Sequence, residues 1–191
     1  MIWCGDPDSV EMEEGVLRTK ADTELNMTFK DLSAQLNDTG GPIIGRGSVN
    51  PAGVGGAFAA NIVDTEIDPE TGKVDILRFT MVQDAGKAIH PSYVEGQMQG
   101  ASVQGIGWAL NEEYYIENDG SMANTSFLDY RMPTALDMPN IDVILVEVPN
   151  PLHPFGVRGV GEVPIVPPLA AVGNAIKEAT GKRLFETPMN P

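Results

Sequence analysis

The sequence predicts an α+β fold, with long antiparallel strands and hairpins packed with two or three helices. Residues 57–67 and 73–84 form two alternating, β-rich runs joined by Asp68-Pro69-Glu70-Thr71-Gly72, strong turn chemistry. Pro91 opens a long helical stretch at a position where its missing N–H costs nothing. Ile141–Val148 reads as a strand stopped by Pro149, and 167–179 as a closing helix with Gly181 as its C′ residue.

The remaining elements follow in order. Residues 8–20 alternate weakly around Glu14-Gly15 and predict a small hairpin. Phe29, Leu32 and Leu36 fall at helical spacing, with Thr28 as N-cap and Asp31 three residues on. Residues 37–56, rich in Gly, Pro and Asn, predict a long connecting loop. The Pro91 helix is expected to run to about Tyr115. After it, 113–118 and 121–127 predict another hairpin across Asp119-Gly120. Domain organisation is read as a single span, 1–191, with 1–56 as hairpin, helix and loop and 57–191 as the remainder.

Composition narrows the function. At 191 residues the chain can bury a sizeable core, and its 42% apolar content excludes whole-chain disorder. A formal charge of −15 opposes binding to nucleic acid or to an anionic membrane surface. Cys4 is the only cysteine, so no internal disulfide, Cys-rich zinc site or iron–sulfur cluster can be built from this chain. No apolar run approaches the ~18 residues of a membrane span, and no secretory signal is expected from residues 1–6. A cytoplasmic protein is expected.

Two segments carry chemistry. Gly159-Val160-Gly161-Glu162 presents a carboxylate at the end of a glycine-spaced strip, as a base would be presented; a solvated glycine-rich turn is the alternative. The Pro91 helix holds Gly96, Gly100, Gly105 and Gly107, each costing about 0.8–1 kcal/mol relative to Ala. Such a concentration implies either tight packing or close approach of a ligand. Gln97 among them offers both amide donors and an acceptor.

Other patterns fail on spacing. The acidic 64–72 segment lacks the glycine and glutamate positions of an EF-hand, so its acids read as a solvated turn. Gly45-Arg46-Gly47-Ser48 lacks a P-loop ending, and no Gly-x-Ser-x-Gly elbow occurs. His90 and His153, each near proline, read as structural or exposed. Arg158 reads as a surface ion pair, with orientation of Glu162 as the alternative.

Together these segments resemble the molybdenum-binding subunits of the xanthine dehydrogenase/aldehyde oxidase family of molybdenum hydroxylases. Gln83-Asp84-Ala85-Gly86 followed by Ile89-His90-Pro91 is similar to the family's Asp-x-Gly and Pro strip. The 96–107 segment is similar to its Gly-Gln-x-x-Gly-x-x-x-Gln-Gly-x-Gly run, and 159–162 to its active-site strip. The resemblance implies the C-terminal molybdopterin-binding portion of a longer subunit. It implies a molybdenum–molybdopterin cofactor, expected in the cytosine dinucleotide form, with Gln97, Gly100 and Gly161 beside it. It also implies that Glu162 takes the proton of the molybdenum-bound hydroxide, helped by half-burial against Val160, Val163 and Ile165. No protein ligand to the metal is assigned. The implied substrate is a small molecule, an aldehyde or an N-heterocyclic or aromatic compound.

Implied partners are a second molybdenum-binding chain or domain, an iron–sulfur subunit and an FAD subunit. The alternative is a non-catalytic fragment, an interaction or structural domain without cofactor.

Overall fold

Alternation of apolar and polar residues in β4 (Ala59–Ile67) and β5 (Val74–Asp84) gives one buried and one exposed face, and the two strands pair antiparallel with a bulge at Asp64/Thr65. This hairpin organises a computed structural model of the chain, which describes residues 3, 6–20, 22, 24–42, 44–50, 53 and 55–189. Cys4 and part of the 37–56 loop lie outside the described residues. The chain divides into two compact units, Met1–Asn50 and Pro51–Pro191.

In the first unit, β1 (Val10–Glu13) and β2 (Val16–Thr19) form the expected hairpin. A third strand, β3 (Asn26–Thr28), pairs antiparallel with β2; three residues are too few to show alternation in sequence. Helix α1 (Phe29–Gln35) starts at Thr28, whose hydroxyl accepts from Asp31 N–H at 3.1 Å and donates to the Asp31 carboxylate at 2.6 Å.

In the second unit, α2 (Pro91–Leu110) and α3 (Val166–Thr180) pack with the sheet of β4, β5 and β6 (Ile141–Val146). The core joins Phe79 and Met81 of β5 to Met98 and Ile106 of α2 and Val172 and Ile176 of α3. Gly181 adopts φ +73 and donates to Lys177 C=O, closing α3 as expected. Asp68 uses its carboxylate on Glu70 N–H and Thr71 O–H, so the acidic turn is bonded to itself. Among the described residues no helix is long and apolar enough to cross a membrane.

The α+β class holds, with three corrections of detail. Strand β6 runs parallel to β5, because α2 and the following loop supply the crossover that parallel pairing requires. Helix α2 ends at Leu110 rather than near Tyr115. There Gly107 C=O accepts from both Asn111 and Glu112 N–H groups, and Asn111 leaves helical torsions. The expected 113–127 hairpin shrinks to one bridge, Ile116↔Met122. Beyond it the Asn124 amide takes Tyr115 N–H and Glu113 C=O, replacing ladder bonds with a side-chain staple.

Candidate functional site

At the end of β5 the chain meets the glycine-spaced strip. Gly86 pairs antiparallel with Val157; Arg158 N–H donates to Ala85 C=O at 3.1 Å, and Lys87 N–H to Gly156 C=O at 3.0 Å. Gly86 has φ +64, and a Cβ there would collide with Gly156 C=O. The Gly in Asp84-Ala85-Gly86 is therefore required twice, by torsion and by close approach.

Arg158 locks this crossing. Its guanidinium lies 3.0 Å from the Asp84 carboxylate, and the two side chains are only 11% and 13% exposed. It also donates to Val148 C=O at 3.1 Å and to Gly56 C=O. Asp84 in turn accepts from Gly86 N–H at 2.9 Å and Val148 N–H at 3.1 Å. The expectation of a surface ion pair is thus corrected: this is a near-buried pair joining both strand ends, the strip and the 56 loop. Removing either partner of such a pair would strand a near-buried charge. Gln83, fully buried, donates from Nε2 to Gly159 C=O at 3.0 Å, and its Oε1 has no partner among the described residues.

Beside this junction lies a hollow of about 230 Å³, walled by residues 85–90, the first turns of α2 and the strip from Val157 to Val160. Gln97 lines it. The His90 and Tyr93 rings, also in the wall, stack at 3.9 Å with 15° between planes. Lys87 pairs with Glu147 at 3.4 Å; the Ala88 N–H first, then Lys87, holds the Glu147 carboxyl below its ordinary range. Pockets that enclose a small molecule run to roughly 300–1,000 Å³. The hollow is smaller than that range and open on one side to the bare face of α2.

The four residues singled out in sequence fare differently. Gln97 and Gly100 lie exposed one turn apart on α2, and among the described residues no atom comes within 4 Å of a Cβ built at Gly96 or Gly100. Gly161 and Glu162 are exposed just past the hollow-lining Val160, and neither lines the hollow. Glu162 precedes a 3-10 turn, Val163–Ile165, in which Pro164 is buried. That turn packs on α2, where a Cβ at Gly105 would meet Ile165 C=O at 3.1 Å and Pro168 at 2.7 Å.

The two distant segments therefore converge. The carboxylate itself makes no hydrogen bond or ion pair among the described residues. Half-burial of Glu162 is corrected: Val160, Val163 and Ile165 are half-buried while Glu162 stands exposed. The backbone buries Pro164 and leaves Glu162, two residues earlier, outside.

Sequence reasoning missed the chemistry of Gln83 and of the Asp84–Arg158 pair. The signal was present in a buried-strand amide followed at once by an acid and a glycine. Its partners lie more than 70 residues away. Among the described residues no cluster of His, Cys, Asp and Glu could hold a metal ion. An exposed amide beside bare helix backbone instead suits the polar edge of a flat heterocycle, which needs donors, an acceptor and room.

A model of the molybdopterin cofactor-binding domain matches residues 2–139. The 6-hydroxypseudooxynicotine dehydrogenase complex subunit gamma of Paenarthrobacter nicotinovorans is 37% identical over 186 residues, covering 91% of this chain and 23% of its own length. The xanthine dehydrogenase molybdenum-binding subunit of Escherichia coli O157:H7 is 37% identical, covering 86% of this chain and 22% of its own. The crystal structure of quinoline 2-oxidoreductase from Pseudomonas putida 86 superposes with a TM-score of 0.80 at 28% identity, covering 95% of this chain and 25% of that one. The chain thus spans about a quarter of the length of these relatives. With the family model, the sequence relatives and the fold in agreement, the chain belongs to the molybdopterin cofactor-binding domain family, as a piece of a molybdenum-binding large subunit.

Proposed function

We propose that this chain forms one wall of the active site of a cytoplasmic molybdenum hydroxylase, which uses water to oxidise an aldehyde or an N-heterocyclic or aromatic substrate. One observation carries the reading: the open face of α2 around Gln97 and the strip leading to Glu162 meet at a single hollow. The Gln97 amide would hold the pterin edge, and Gly100, with no Cβ, would let the ring system lie against the helix. Gly161 would keep the backbone clear beside it.

When bound, the molybdenum–pterin group, read as the cytosine dinucleotide form, supplies the redox change that accepts two electrons from the substrate. Glu162 would receive on a carboxylate oxygen the proton of the water-derived nucleophile, and the exposed setting leaves it free to release that proton to solvent. The 1–191 span acts as one portion of the subunit. The rest of the molybdenum-binding subunit closes the hollow, and separate iron–sulfur and FAD chains carry the electrons away.

Co-expression with those chains tests this. Glu162→Gln should lower turnover by about 10²–10⁴-fold, the usual worth of a positioned acid or base, with molybdenum and pterin still bound. Gln97→Leu should lower pterin content. Full activity in Glu162→Gln removes the residue from the mechanism. A second reading, a non-catalytic interaction domain, draws on the exposure of Glu162 and predicts no molybdenum in the assembled complex.

A further inference from the structure

Between Arg158 and Pro164 the strip has little to hold it. Upstream, Arg158 is fixed through Ala85 C=O and Asp84; downstream, Pro164 is buried. Among the described residues, no atom lies within 4 Å of a Cβ built at Gly159 or Gly161, and the Glu162 side chain is unbonded. One side-chain hydrogen bond reaches residues 159–162 among the described residues: Gln83 Nε2 to Gly159 C=O, at 3.0 Å. An apolar side chain could fill the same buried volume without stranding an oxygen, as Gln83 strands Oε1. The residue is explained by its donor.

We propose that Gln83 is a positioning residue, whose buried amide pins the Gly159 carbonyl and thereby sets the place from which Glu162 works. A peptide flanked by glycine rotates at little cost, so without the pin residues 159–161 sample many settings. With it, the strip leaves the junction in one direction. The inference rests on the reading of Glu162 as the base, and it adds to that machinery a residue of β5, 76 positions before the carbonyl it holds.

The test uses the enzyme assembled with its partner chains, in four forms: unaltered, Gln83→Met, Gln83→Glu and Glu162→Gln. Met matches the length of Gln but has no donor. Gln83→Met should lower kcat by ~10²-fold, the scale of a misplacement of about 1 Å, with KM and pterin content unchanged. Glu at this buried position keeps its proton above the ordinary carboxylate range and donates while protonated. Gln83→Glu should therefore approach unaltered kcat at low pH and fall towards the Met variant as pH rises, a profile that a packing role would not produce. A second readout needs no activity: in the cofactor-free complex, proteolysis after Glu162 should quicken by ~10-fold in Gln83→Met, with hydrogen exchange of β4 and β5 unchanged.

Unaltered kcat in Gln83→Met, or a pH-independent Gln83→Glu, overturns the inference, as does exchange that quickens uniformly across β4 and β5. The two readings fail separately. Normal turnover in Glu162→Gln removes the base, whereas a dead Glu162→Gln beside a normal Gln83→Met removes only the positioning role.

Discussion

Along α2 the same residue does two different things. At Gly105 and Gly107 a Cβ would strike Pro168 and Ile165 on one side and Pro133 and Glu112 on the other. At Gly96 and Gly100, two to three turns earlier, a Cβ would meet nothing. The crowded pair is explained by packing inside this chain, since it lets the 162–168 segment and the 111–133 loop lie on the helix. The bare pair costs the helix about 0.8–1 kcal/mol each and returns no contact among the described residues. Crowded glycine is scaffold, whereas bare glycine has no such packing reason among the described residues.

Substitution by alanine should sharpen that contrast. The largest effect is expected at Gly86, where positive φ and the Gly156 carbonyl both forbid a Cβ. Gly86→Ala should cost about 2–5 kcal/mol, combining left-handed strain and overpacking, and denaturant unfolding reads it. Gly105→Ala should destabilise by about 1–2 kcal/mol, because overpacking against rigid Pro168 exceeds the propensity gain of about 1 kcal/mol. Gly100→Ala should move the other way, stabilising the cofactor-free chain by about 0.8–1 kcal/mol. If both helix substitutions shift the unfolding midpoint in one direction, the division into bare and crowded ends is wrong.

The smallest effect concerns how the crowded end is held. Glu112, which covers Gly107, accepts from Tyr130 O–H at 2.6 Å. That bond first, then burial, pushes the Tyr130 hydroxyl up to about 12 from its ordinary 10.0. A raised value means that the folded chain holds the proton more tightly than the unfolded one. The contribution is thus complete below pH 10 and lost as pH climbs towards 12. Ultraviolet titration should show one of the four tyrosines ionising late, and Tyr130→Phe should remove that step. Four tyrosines titrating together would dissolve the link.

Local signals carried much of the fold. The β4–β5 hairpin, the Thr28 cap and the Gly181 stop were legible because each depends on neighbours a few residues apart. The end of α2 was not, because the polar 111–115 segment continues a helical pattern until Glu112 is captured by Tyr130, 18 residues on. The 113–127 hairpin was over-read for a related reason: Asn124 competes for the backbone groups that a ladder would have used. Gln97, which lines the hollow, and Glu162, which lies outside it, were both visible as motif residues. The partners of Gln83 and Arg158 were invisible, since 76 and 74 positions separate Gln83 from Gly159 and Arg158 from Asp84.

By itself, the sequence determined the α+β class, most of the longer elements and a list of residues rich in chemistry, because periodicity, turn residues and composition act over short range. Only the tertiary structure decided which of those residues meet. It set β6 parallel to β5, buried Arg158 against Asp84, brought the strip to the wall of the Gln97 hollow and left Glu162 in the open. Burial and hydrogen-bond pairing are properties of packed surfaces, and a packed surface exists only once distant segments share one core.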